Sequence, residues 1–130
     1  MKIRLVGIPL LLAAFTLRAA EHFVEVGAGC SFSFTPAELT IEEGDTVTWV
    51  NVCGFHNVVA DDGSFTSGPP AKGNWEFSHT FPKGSAGVHP YHCSAHSFPG
   101  GGFMDGAIIV EKAPQPDLVF ADGFEEAPAP

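Results

Sequence analysis

Short stretches in which apolar and polar residues alternate recur along this chain, and nothing after residue 20 sustains the 3.6-residue apolar repeat of a helix. Thr46-Val47-Thr48-Trp49-Val50-Asn51 is the clearest of them, with β-branched and aromatic residues at a period of two. Phe23 to Val26, Phe32 with Phe34, Leu39 to Ile41, His56 to Ala60, Trp75 to Phe81, Val88 to Cys93 and Ala107 to Val110 read as further strands. Turns rich in Gly and Asp separate them, among them Gly27 to Gly29, Glu42 to Asp45 and Asp61 to Ser64. Seven or eight short strands at this spacing predict an all-β sandwich or barrel without internal repeats. Residues 61–74 lack periodicity and are expected as a surface loop. Trp75, Phe77, His79 and Phe81 are expected on one face of their strand.

Both ends differ from this middle. Met1-Lys2-Ile3-Arg4 is basic, Leu5 to Leu17 is an apolar run broken by Gly7 and Pro9, and Ala19-Ala20 is small. Residues 1–20 therefore read as a secretory signal peptide, too short for a membrane span. Cutting after Ala19 puts Leu17 at the third position back; cutting after Ala20 puts Arg18 there, which is less favourable. Ala28-Gly29-Cys30 imitates a lipid-attachment box, but Gly27 replaces its Leu, and Glu21 and Glu25 separate it from the apolar run. Residues 21–112 are expected to form one domain. Residues 113–130, opening Ala113-Pro114-Gln115-Pro116, are expected to form a disordered acidic tail. The formal charge of −9 becomes −12 (−9 − 3) once Lys2, Arg4 and Arg18 leave with the leader. Such a surface repels nucleic acid and anionic membranes and steers toward cationic partners. No nucleic-acid partner and no membrane span after leader removal are expected.

Chemistry concentrates between Tyr91 and Val110. Cys93 and His96 lie three residues apart, and Met104 follows across the glycine-rich segment Ser97 to Phe103. Thiolate, imidazole and a weak thioether suit copper; zinc fits less well, because a thioether is a poor zinc ligand. A second imidazole is available from His56, which follows a loop elsewhere in the chain. Loops at one end of a sandwich cluster, so the four side chains can converge. His22, His79, His89 and His92 lack such context and are taken as structural or surface residues. No paired His-x-His clusters, nucleophile–base pair or phosphate loop is present, so an enzyme is not expected.

Gly44-Asp45-Thr46-Val47 leading into Trp49, Gly54-Phe55-His56-Asn57, Cys93 with His96, and Met104 followed by Gly106-Ala107-Ile108-Ile109-Val110 together resemble the single-domain cupredoxins. These are the plastocyanin- and azurin-like type 1 blue copper proteins, and the likeness is to their bacterial members, over most of residues 22–111. The resemblance implies a Greek-key β-sandwich of seven to eight strands holding one type 1 copper ion. His56, Cys93 and His96 would be its strong ligands and Met104 the weak axial one. It implies a monomer shuttling single electrons between exported or periplasmic redox partners, such as a c-type cytochrome or a copper or haem reductase. A periplasmic copper carrier or store is the alternative.

Seven residues lie between His96 and Met104 here, where plant plastocyanins have four. By the same resemblance Asn57 ties the His56 loop to the backbone around Ser94. Phe32, Gly54, Phe55, Phe98 and Pro99 are candidates for an apolar rim around His96, the electron port. The aromatic position before the cysteine, a second port in the family, is His92 in this chain. Three cysteines leave one odd thiol. A Cys30–Cys53 bridge would spare Cys93 for metal; two free buried thiols are the other reading.

Overall fold

The computed structural model describes residues 18–115, together with Gly7 and Pro9. The leader before residue 18 and the tail beyond 115 lie outside the described residues. Eight strands run in chain order: β1 (Glu21–Val26), β2 (Phe34–Thr35), β3 (Glu38–Glu42), β4 (Thr46–Asn51), β5 (Val59–Ala60), β6 (Glu76–Thr80), β7 (Gly87–His92) and β8 (Asp105–Glu111). They form two four-stranded sheets, β2-β1-β4-β6 and β3-β8-β7-β5. The β1–β4 and β3–β8 pairs are parallel and the others antiparallel. This is the all-β sandwich expected. Among the described residues no helix is long and apolar enough to cross a membrane.

Alternation becomes a core because successive side chains of a strand face opposite ways. Val24 and Val26 of β1 point inward while Phe23 stays 59% exposed. Trp49 stands between Val24 and Phe77 in register and is fully buried. Its ring stacks on Phe65 and Phe77, with centroids 5.5 and 5.6 Å away, and meets Tyr91 edge-on at 5.3 Å. Ile41, Ile108 and Val110 close the core from the other sheet. Every second residue from Trp75 to Phe81 faces in, as alternation predicts.

Three expectations need correction. The strand read over Phe32 and Phe34 shrinks to Phe34–Thr35. A 3-10 turn at Ala28–Cys30 precedes it, and the Ser31 hydroxyl bonds Ala28 O and Ser33 Oγ, both at 2.6 Å. These local bonds compete with a ladder. His56 does not open a continuous strand; it makes an isolated bridge to Ala71, and β5 begins only at Val59. Between them the Val58 amide donates to Ser67 Oγ at 2.8 Å, which interrupts the ladder. Finally, the segment read as surface loop carries Phe65, 5% exposed, into the core. One aromatic in a polar stretch has no periodicity to betray it.

At the start of β4, Asp45 is 6% exposed. Its Oδ1 accepts the Ala20 amide at 2.8 Å; its Oδ2 accepts His22 Nε2 at 2.8 Å and the Glu42 amide at 3.1 Å. Burial alone would push this carboxyl up, but the donors together hold it below its ordinary value. A depressed carboxylate contributes stability above its unfolded pKa, near 3.9, and loses it as pH falls through the folded value. Thermal unfolding of wild type and Asp45→Asn is therefore expected to show wild type more stable at neutral pH, with the gap closing below about pH 4. A gap independent of pH would contradict the assignment.

Candidate metal centre

The site forms where β4 and β7 end and β8 begins. Antiparallel pairing sets His92 opposite Asp105, so the next residues outward, Cys93 and Met104, become neighbours. The Cys93 amide donates to the Met104 carbonyl at 3.1 Å, and the His96 amide to the Cys93 carbonyl at 3.2 Å. That turn brings the His96 ring back over the sulfur. Cys93 and Met104 are fully buried, His56 is 1% exposed, and His96 is half-buried.

The donor atoms of His56, Cys93 and His96 lie within 4.8 Å of one another. His56 Nδ1 and His96 Nδ1 are 3.2 Å apart; Cys93 Sγ lies 3.9 Å from the first and 3.6 Å from the second. First-row metal bonds of about 2.0 Å to imidazole and 2.3 Å to thiolate put donors of a trigonal plane roughly 3.5–3.8 Å apart. The observed triangle fits a single ion held between two imidazoles and a thiolate. Burial, with the His96 ring alongside, lowers the proton affinity of His56, while a hydrogen bond to the Cys53 backbone opposes this. The neutral ring has a free nitrogen to give a metal, and a carbonyl on its far side orients it.

Two glycines make room for that ring. A Cβ on Gly54 would come within 2.5 Å of His56 Nε2, and one on Gly27 within 2.9 Å of it while overlapping the Cys53 carbonyl. Both glycines have positive φ, 95° and 74°, where a side chain is strained as well. Asn51 Nδ2 fastens the loop by donating to Gly54 O at 3.2 Å and Gly73 O at 2.7 Å. Gly54→Ala is expected to displace His56 and weaken metal binding by at least about tenfold. Competition against a chelator of known affinity measures this; unchanged affinity would show that the ring does not depend on the glycine.

The disulfide Cys30–Cys53 is formed, with Cα atoms 5.0 Å apart, and Cys93 is the free cysteine. It ties the Ala28–Cys30 turn to the residue before Gly54. Asn57 links the His56 loop to the Cys93 loop: the Ser94 amide donates to Asn57 Oδ1 at 2.8 Å, and Asn57 Nδ2 to Ser94 Oγ and Gly68 O, both at 2.9 Å. Around His96, Phe32 stacks at 4.1 Å and 15° and is 58% exposed. Phe55, Phe98 and Phe103 are 46%, 60% and 87% exposed. Phe32 therefore belongs to a surface rim rather than the core.

The long Ser97–Phe103 segment is held by two carboxylates that the sequence reading passed over. Asp105 accepts the Ser97 hydroxyl and, at 2.7 Å, the Gly102 amide. Asp61 accepts the Gly100 amide at 2.9 Å while its other oxygen pairs with His92 Nδ1 at 2.6 Å. The only hint in sequence was Asp61 as a turn former. His92 and His22 are held by carboxylates, His89 by the Ser85 carbonyl at 2.6 Å, and His79 packs against Phe65 and Phe81. All four lie outside the triangle. Burial, with His89 nearby, lowers the proton affinity of His79.

Residues 20–111 match the family of copper binding proteins of the plastocyanin/azurin type. Chloroplastic plastocyanin of Chlamydomonas reinhardtii is 34% identical over 116 residues, covering 81% of this chain and 78% of that protein. Among solved structures, an oxidised amicyanin variant superposes with a TM-score of 0.54 at 33% identity, over 68% of this chain and 80% of that one. A purple cupredoxin of Nitrosopumilus maritimus gives a TM-score of 0.54 at 30% identity, over 69% of this chain and 99% of that one.

Proposed function

The chain belongs to the plastocyanin/azurin family of copper-binding proteins, and from that premise we propose an exported type 1 copper protein in which His56, Cys93, His96 and Met104 would hold the ion. It is an electron-transfer protein that binds copper, not an enzyme. The observation that carries the ligand assignment is the triangle of two imidazole nitrogens and one thiol sulfur within 4.8 Å, two of its three residues sealed from water. Copper supplies a one-electron Cu(I)/Cu(II) couple. The protein's part is to hold the donors in one arrangement through both oxidation states. The Asn57 bridge, the disulfide beside the His56 loop and the carboxylates under Ser97–Phe103 provide that rigidity. Met104, buried and backbone-bonded to Cys93, is the only methionine downstream of the leader.

His96 alone of the three ring and thiol residues reaches the surface, so its edge would be the port for electrons. A redox partner rests on the rim of Phe32, Phe55 and Phe98, and the acidic remainder of the domain favours a cationic partner such as a c-type cytochrome, engaged by a monomer. An oxidising compartment, periplasmic in a bacterium, suits both the disulfide and the leader-like residues 1–20.

Loading the purified protein with Cu(II) tests this reading. An intense thiolate-to-copper band in the visible, retained against a weak chelator and reversibly bleached by reduction, is expected. A colourless product would sink the ligand assignment; rapid surrender of copper to the chelator would favour a carrier or store.

A further inference from the structure

We propose that the chain is cut between Ala19 and Ala20 and that the α-ammonium so created becomes the ion-pair partner of buried Asp45. The geometry lies at the start of β4, the end remote from the metal triangle. Asp45 Oδ1 receives the Ala20 nitrogen at 2.8 Å, and the Ala20 carbonyl receives the Thr46 amide at 3.0 Å. Ala20 is thereby clamped on both sides, one residue ahead of the β1–β4 ladder that begins with Glu21 opposite Thr46. A buried carboxylate aimed at a backbone nitrogen there is a socket, and an ammonium fills it better than an amide, because charge-assisted bonds are roughly twice as strong as neutral ones.

The surroundings point the same way. A cleft of about 320 Å³ beside Ala20 is lined by Arg18, His22, Glu42, Asp45 and Glu111. Removing the leader takes Arg18 away and leaves three carboxylates with His22 as the one basic side chain lining it. The new ammonium restores the missing positive charge. Cutting one residue later, after Ala20, would delete both the donor to Asp45 and the acceptor of Thr46. The step is a hydrolysis by a leader peptidase. Water breaks the Ala19–Ala20 amide; its oxygen stays on the Ala19 carbonyl, giving a carboxylate on the leader, and the nitrogen leaves as the Ala20 amine, protonated at neutral pH.

The test starts from the full 130-residue chain exported in a Gram-negative host. Intact mass and N-terminal sequencing of the product are expected to begin at Ala20; a start at Glu21 or elsewhere, or an uncut chain, overturns the site. For the ion pair, mature protein beginning at Ala20 is compared with the same protein extended by Ala19, each also as Asp45→Asn. The extension is expected to lower the Tm by about 5 °C, with the difference collapsing in Asp45→Asn. Equal Tm values, or a gap that survives the substitution, overturn the pairing. Should Asp45→Asn fail to fold, acylation of the α-amine near pH 8 decides. Folded wild type is expected to react about fivefold more slowly than the protein unfolded in urea, as for an amine near half-ionised at this pH whose pKa is raised by one unit; equal rates overturn the pairing.

Discussion

Cys93→Ser is expected to abolish the visible thiolate-to-copper absorption and to weaken copper binding by more than the roughly 10–100-fold that follows loss of an outer-sphere partner. The sulfur is the one soft anionic donor in the triangle, and a buried hydroxyl cannot replace its charge or its covalency toward copper. The apo fold should survive, because the exchange is nearly isosteric and Cys93 is held through its backbone by Met104. Visible spectroscopy, copper titration and far-ultraviolet circular dichroism on one preparation separate a lost ligand from a lost fold. Met104→Leu is the contrasting case. It should keep the colour and raise the reduction potential, since loss of the thioether donor proposed for Met104 would cost the more highly charged Cu(II) more than Cu(I). A Cys93→Ser protein that stays coloured would place the copper elsewhere.

Removing the Cys30–Cys53 bridge, as Cys30→Ser with Cys53→Ser, is expected to cost about 3 kcal/mol, the loop-closure entropy for a link between residues 23 apart. For a domain this small the Tm falls on the order of 15 °C. The loss should reach the metal as well. The Cys53 carbonyl and the His56 ring border the same Gly27, and Gly54 next to Cys53 packs against that ring. Copper release should therefore accelerate by about tenfold. Calorimetry of apo and copper-loaded forms with chelator-driven release measures both parts. A stability loss without faster release would limit the bridge to the unfolded chain and remove its role in orienting His56.

The strands that alternate cleanly were legible in the sequence. Val47 and Trp49 of the period-two strand Thr46–Asn51 face the core, and Trp75 to Phe81 turns every second residue inward. His56, Cys93 and His96 were legible as well, because the chemistry of a soft metal demands those residue types in a recognisable pattern. Where the reading failed, side chains bond the backbone in ways that leave no period. Ser31 bonding Ala28 and Ser33 consumed most of the second strand, Ser67 interrupted the run from His56 to Val59, and Phe65 entered the core from a polar loop.

Local pattern thus determined that this chain makes a β-sandwich and which residue types can bind copper, since alternation and donor chemistry are properties of short segments. How the long loop folds back was a different matter. Asp105 and Asp61 fasten Ser97, Gly100 and Gly102, while Asn51, Asn57, Gly27 and Gly54 position the histidine loop. Three of these contacts, Asp61 with Gly100, Asn57 with Ser94 and Gly27 with His56, join residues more than twenty positions apart, and none involves a residue type unusual in a turn. Only the packed structure could select them, because a carboxylate or a glycine acquires its role from what the fold places within about 3 Å of it.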